Sequence, residues 1–165
     1  MATIKCYSMH DCGEIHASVK DVLVLVKKCE RRTFPHTEAL DFEVEVRKRN
    51  VEVRIYLDDS VVPSDLQLAA YLVFTFSKNG NVVLLHKICV EPTFRTRGIG
   101  SMVLSEAITS VQARGGRKLR LWVDEKNTIA MKLYEASGFQ MVSSRPDYYG
   151  PGRIGISMQL VIDDV

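Results

Sequence analysis

The opening residues "TIKCYSM" have strand composition, and at Ser18 the pattern changes to "SVKDVLVLVKKCERRTF". Its Val-Leu-Val-Leu-Val centre fits a strand by β-branching or a helix by length. Ser18 and Asp21 stand at capping-box spacing and the charged end through Arg32 stops before Pro35, which predicts a helix. "TEALDFEVEVRKRN" is predicted as a second helix. "VEVRIYL" alternates like a half-buried strand, and "DDSVVPSD" is a turn region. "LQLAAYLVFTFS" and "NVVLLHKICV" form a predicted hairpin around Asn79-Gly80, since Asn-Gly supplies the positive φ angles of a tight turn. Beyond Gly98, an apolar helix face of Met102, Val103, Ala107, Ile108 and Val111 is closed by Gly115-Gly116. "KLRLWV" reads as a strand, and "NTIAMKLYEASGF" as a helix opened by Asn127 and closed at Gly138. "FQMVSSRPDYY" and "RIGISMQLVI" are the last two strands, around Gly150-Pro151-Gly152. This order predicts an α/β chain with a mixed sheet of about seven strands and about four helices on its faces.

Composition narrows the class. A chain of 165 residues that is 46% hydrophobic and 25% charged suits a single globular domain over 1–165. A net charge of +2 gives no electrostatic footprint for nucleic acid. The cysteines at 6, 12, 29 and 89 have no CxxC pair and no metal-ligand spacing, so they read as reduced thiols, and no metal is expected. The first residues lack a signal-peptide core, and apolar runs such as Val22 to Val26 are far too short to span a bilayer. A cytoplasmic protein with no membrane partner is expected, with a nuclear location left open.

The stretch "CVEPTFRTRGIGSMVLSEAI" carries the chemistry. A strand ending at Val90, a turn, and a helix beginning near Gly98 leave backbone N-H groups without partners inside the helix. With the helix dipole they make an anion site, where Gly98 and Gly100 allow close approach and Arg95 and Arg97 add charge-assisted bonds. No Lys-Ser/Thr follows, as a Walker loop requires, and the third glycine of a dinucleotide fingerprint is missing.

"VEPTFRTRGIG" resembles the Arg/Gln-x-x-Gly-x-Gly/Ala motif of the GNAT acyltransferase superfamily, and "NTIAMKLYEASGF" resembles its downstream helix, with Asn127, Tyr134 and Gly138-Phe139 in family spacing. The resemblance implies a GNAT-like fold and acetyl-CoA as cosubstrate. It implies that Arg95, Thr96, Arg97, Gly98, Ile99, Gly100, Ser101 and Asn127 hold the cofactor. It also implies that backbone N-H near Ile88 and Val90 contacts pantetheine and the oxyanion, and that Tyr134 lies near the CoA sulfur as its acid. Within the superfamily the chain is similar to ribosomal-protein and other protein N-terminal acetyltransferases. "ERRTFP" resembles their loop between the first two helices, and "SRPDYYG" their Arg-x-x-Tyr-Tyr segment. That likeness makes Phe34, Pro35, Tyr148 and Tyr149 walls of a peptide entrance.

The resemblance implies direct attack of an amine on the thioester in a ternary complex. Relatives carry a Glu or His base five residues ahead of the helix-opening Asn, where this chain has Trp122. His86, Asp124 and Glu125 are substitutes, His86 being the chosen catalytic candidate with a packed, neutral histidine as its alternative. With reference pKa values near 7.8 and 10.4, an α-amine is neutral roughly 300-fold more often than a lysine at neutral pH. A weak base therefore suits the N-terminal amine of a protein or peptide. A small-amine acetyltransferase for a polyamine or amino-sugar, and a non-catalytic acyl-CoA-binding module, remain alternatives; an auxiliary subunit or homodimer is left open.

Overall fold

The computed structural model of the protein describes residues 4–9, 18–58 and 66–162. Cys12 and residues 59–65 of the expected turn region lie outside them. Seven strands, β1 (Ile4–Ser8), β2 (Val51–Asp58), β3 (Gln67–Phe76), β4 (Val82–Val90), β5 (Lys118–Asp124), β6 (Gln140–Arg145) and β7 (Gly155–Val161), form one sheet in the order β1-β2-β3-β4-β5-β7-β6. The sheet is mixed: β4 and β5 are parallel, whereas β1 with β2, β5 with β7, and β6 with β7 are antiparallel. The α-helices among the described residues are α1 (Val19–Thr33), α2 (Phe42–Glu45), α3 (Ile99–Ala113) and α4 (Thr128–Ala136). None of them is long and apolar enough to cross a membrane.

The chain forms two compact units, one of Met1–Phe74 with Lys87–Gly100 and the other of Thr75–His86 with Ser101–Val165. In the first unit, α1 starts as its sequence predicts: Ser18 Oγ accepts from the Asp21 N-H at 3.2 Å and donates to Asp21 Oδ2 at 2.7 Å. Val22, Val26 and Cys29 then face a core shared with Val53 and Ile55 of β2 and Tyr71 of β3. Complete burial of each valine contributes about 1.5–3 kcal/mol. The expected helix over 37–50 is a correction. The chain makes a 3-10 turn at His36–Glu38 and only the short α2, capped by Asp41 Oδ1 on the N-H groups of Glu43 and Val44. The Glu38 carbonyl accepts from Lys87 Nζ at 2.6 Å and the Leu40 N-H donates to Glu30 Oε1 at 3.1 Å. Lys87 thereby takes the Glu38 carbonyl, which in a continuous helix would accept from the Phe42 N-H.

In the second unit, the hairpin turn has one left-handed residue rather than two. Gly80 has φ +73°, while Asn79 uses its side-chain oxygen to accept from Ser77 Oγ at 2.7 Å and the Asn81 N-H at 3.3 Å. Val103, Leu104, Ala107 and Val111 are the buried stripe of α3, and Met102, expected on it, is 38% exposed. At 3.6 residues per turn Met102 lies roughly 150° from the centre of that stripe. The strand expected through Tyr149 ends at Arg145, so Tyr148 and Tyr149 lie in the turn before β7. β6 is exposed along its length at the sheet edge.

Candidate active site

β4 ends at Val90, and the next residues fold as a tight 3-10 turn, Pro92–Phe94, whose Phe94 is buried. Proline at the first position needs no hydrogen-bond donor there, which suits the turn. Arg95 reaches back, its Nε donating to the Val90 carbonyl at 3.0 Å. Thr96 and Gly98 then take left-handed conformations, with φ of +61° and +76°. Thr96 Oγ1 donates to the Arg95 carbonyl at 2.6 Å. A Cβ on Gly98 would meet nothing within 4 Å, so glycine is required by backbone conformation and not by crowding. Residues 95–98 are exposed, Ile99 is buried, and α3 begins there. Arg97 stacks over Phe94, 5.4 Å from the ring centroid. The loop therefore presents its backbone and Arg95 and Arg97 to solvent directly before a helix whose first N-H groups have no partner within it. Gly100 and the exposed Ser101 are in that first turn.

The β4–β5 ladder runs from Val82↔Lys118 to Leu85↔Leu121, while β4 itself continues to Val90. Ile88 and Val90 lie on this extension and are half-buried. His86 is exposed, which removes the packed-histidine alternative, and its Nε2 lies 2.8 Å from Thr75 Oγ1.

In the second unit, Asn127 caps α4, its Oδ1 accepting from the Ala130 N-H at 3.2 Å. About two turns on, Tyr134 is 6% exposed and packs on Phe139 with ring centroids 5.6 Å apart. Its hydroxyl has no hydrogen bond among the described residues, and burial pushes its ionisation above the usual tyrosine value. Trp122 stacks on Tyr148 at 4.3 Å with the rings 15° from parallel, and Tyr149 meets Tyr148 edge-on at 4.9 Å. A Cβ on Gly155 would fall 2.7 Å from the Tyr148 Cβ and Cγ, so the ring lies directly over the start of β7. Arg153 closes the cluster by donating to the Tyr149 carbonyl at 3.0 Å and to Asp124 Oδ2 at 2.7 Å. Burial raises the Asp124 carboxyl, but the Lys126 N-H and the Arg153 guanidinium outweigh it and hold the group below its usual range. An ionised, engaged carboxylate is a poor base, so Asp124 does not fill the gap left at Trp122.

In the first unit, Phe34 ends α1 and is half-buried, and Pro35 is exposed. Glu30 and Lys87, which the sequence reading passed over, organise this region. Glu30 is 2% exposed and accepts from Lys87 Nζ, the Tyr71 hydroxyl and the Leu40 N-H. A signal existed: Glu30 follows Val22 and Val26 at helical spacing on the buried face, and Lys87 interrupts an apolar strand.

The acetyltransferase (GNAT) family matches residues 19–139 of the chain. The chain belongs to the GNAT family. Its matched span includes the loop 95–101, Asn127 and Tyr134 but stops before Tyr148 and Tyr149. The chain is 33% identical over 95 residues to the [ribosomal protein bS18]-alanine N-acetyltransferase of Haemophilus ducreyi, a stretch covering 50% of this chain and 66% of that relative, just under two thirds. The crystal structure of the ribosomal-protein-S18-alanine N-acetyltransferase from Escherichia coli shares the GNAT chain's fold, with a TM-score of 0.76 at 21% identity over 99% of this chain and 96% of that one. A putative streptothricin acetyltransferase from Bacillus anthracis, solved with acetyl coenzyme A, has a TM-score of 0.64 at 22% identity, covering 77% of this chain and 71% of that one.

Proposed function

We propose that the chain, as one domain over 1–165, is an acetyl-CoA-dependent N-acetyltransferase acting on the N-terminal α-amine of a protein or peptide in the cytoplasm. The observation that carries the reading is the exposed loop 95–98, left-handed at Thr96 and Gly98, opening α3 in a GNAT chain. Its likeness to bS18-alanine N-acetyltransferases supports the substrate class. In this reading Arg95, Thr96, Arg97, Gly98, Ile99, Gly100 and Ser101 bind the pyrophosphate, with Asn127 as a further cofactor contact. Backbone N-H groups at Ile88 and Val90 bind the pantetheine arm and stabilise the oxyanion. His86 accepts the amine's proton, directly or through water, and Tyr134 supplies a proton to the departing thiolate. The raised ionisation of Tyr134 keeps it protonated at neutral pH and makes the transfer uphill, so a negative charge forming beside it must drive the step. Phe34, Pro35, Tyr148 and Tyr149 line the peptide entrance.

The test has two parts. Acetyl-CoA should raise the melting temperature by mass action, and Gly100→Glu, which sets a carboxylate where phosphate would sit, should abolish the shift in a folded protein. Peptides with free N-terminal alanine should be acetylated in preference to blocked peptides with an internal lysine, with mass spectrometry locating the acetyl group. Transfer mainly to lysine, or to polyamines alone, would overturn the peptide assignment. Trp122 stacked on Tyr148, in place of the Glu or His base, favours a second reading as a non-catalytic acyl-CoA-binding module. A thermal shift without turnover on any amine would establish that one.

A further inference from the structure

Lys87 has three partners in the first unit, and two of them belong to the chain between α1 and α2. Its Nζ donates to Glu30 on α1, donates to the Glu38 carbonyl at 2.6 Å, and stands 3.8 Å from the centroid of the Phe34 ring. Glu30, held by Lys87, in turn accepts from the Leu40 N-H at 3.1 Å and from Tyr71 on β3. The segment from Phe34 to Leu40 is thus pinned at its start, its middle and its end by one buried ion pair. Lys87 is also next in sequence to Ile88, on the stretch of β4 that continues past its ladder with β5.

We infer that Lys87 is a positioning residue for the amine-bearing substrate: it fixes the Phe34–Leu40 loop against β4, so that the loop and the acyl-bearing strand keep one relative placement, an assignment that rests on the reading of Phe34 and Pro35 as peptide-entrance residues. The chemistry favours this role over a charge offered to substrate. The lysine side chain is 8% exposed, and its ammonium is engaged by a carboxylate, a carbonyl and a ring face. A buried charge so engaged acts by holding what it binds. Loss of the pin leaves the cofactor loop 95–100 with its own anchors, the Arg95 bond to Val90 and the Pro92–Phe94 turn. The effect should therefore fall on the amine substrate and not on acetyl-CoA.

The experiment uses the full chain and a peptide with a free N-terminal alanine. Lys87→Met should raise the peptide KM about tenfold with kcat and the acetyl-CoA KM little changed, and Lys87→Arg, which keeps a charged donor, should restore most of the loss. Where Lys87→Met does not fold, the pair Glu30→Gln with Lys87→Met removes both charges and should give the same KM split. Hydrogen exchange supplies a readout apart from activity: the Leu40 amide should be protected in the native protein and exchange faster in either variant. Phe34→Ala separates this inference from the reading beneath it. If Phe34→Ala leaves the peptide KM unchanged, the peptide-entrance reading is wrong. If it raises that KM while the Lys87 variants do not, or if they raise both KM values equally, the positioning role is wrong. An unprotected Leu40 amide in the native protein also overturns it.

Discussion

The two units each tie a loop down with an acid and a base, in opposite surroundings. Lys87 and Glu30 have side chains 8% and 3% exposed, whereas Arg153 and Asp124 are 33% and 12% exposed. The first pair is surrounded by protein groups that complete its hydrogen bonding, and it holds the segment between α1 and α2. The second lies beside a ring cluster, where Trp122 stacks on Tyr148, Tyr149 meets Tyr148 edge-on and Arg153 reaches the Tyr149 carbonyl. A buried pair matters mainly through what is left when half of it is removed, and a partly exposed pair is screened by water. The loop of the first unit should therefore be controlled by charge, and that of the second by ring packing.

The largest expected effect tests the buried pair. Lys87→Met leaves the Glu30 carboxylate without its cation and should cost about 3–5 kcal/mol. For a chain of this length that lowers the melting temperature by roughly 6–20 °C, measurable by calorimetry. Glu30→Gln added to Lys87→Met should recover most of the loss, because no uncompensated charge remains. Equal destabilisation in the single and double variants would show that shape rather than charge holds the loop.

Next in size is a change that moves activity and not stability. Tyr134→Phe removes a hydroxyl that makes no hydrogen bond among the described residues, so the melting temperature should stay within a few degrees. Turnover should fall by roughly 100-fold, as expected for a positioned acid, with acetyl-CoA affinity nearly unchanged. Full activity in that variant would make Tyr134 a packing residue beside Phe139.

These contrasts also show what the sequence could reveal. The helix α1 was legible because its start signal is local: Ser18 and Asp21 are neighbours on one turn. The loop 95–98 was legible for the same reason, since a left-handed backbone at Gly98 needs glycine whatever lies elsewhere. The helix expected over 37–50 is shortened to α2, and the competing bond at its start comes from a distant residue: Lys87 is 49 positions from the Glu38 carbonyl it binds. Tyr148 was assigned to a strand because its ring partner, Trp122, is not a sequence neighbour. The family motif made the loop 95–101 and the Asn127 helix readable, while the structures around Phe34 and Tyr148 depend on contacts that spacing does not encode.

The smallest expected effect belongs to the second pair. Arg153→Leu should cost only about 1 kcal/mol at pH 7, because the guanidinium is partly exposed. Its signature is pH dependence. Burial raises the Asp124 carboxyl, and the Lys126 N-H with Arg153 lowers it further than burial raises it. A carboxyl with a lowered folded-state pKa binds its proton less readily in the native state than in the unfolded one. Its contribution is therefore present above the ordinary aspartate value near about 3.9 and is lost as pH falls through the lowered folded value. Urea unfolding of the native protein and of Arg153→Leu at several pH values from neutral to acid should give two curves that run apart at neutral pH and converge below that window. The stacked rings persist in both proteins, so the Trp122 fluorescence of the folded state should change little between them. A gap that stays constant down to the most acid point would remove Asp124 as the partner that matters. A large change in folded-state fluorescence would show that Arg153 holds the Trp122–Tyr148 stack, and that the second unit's loop depends on charge as much as the first.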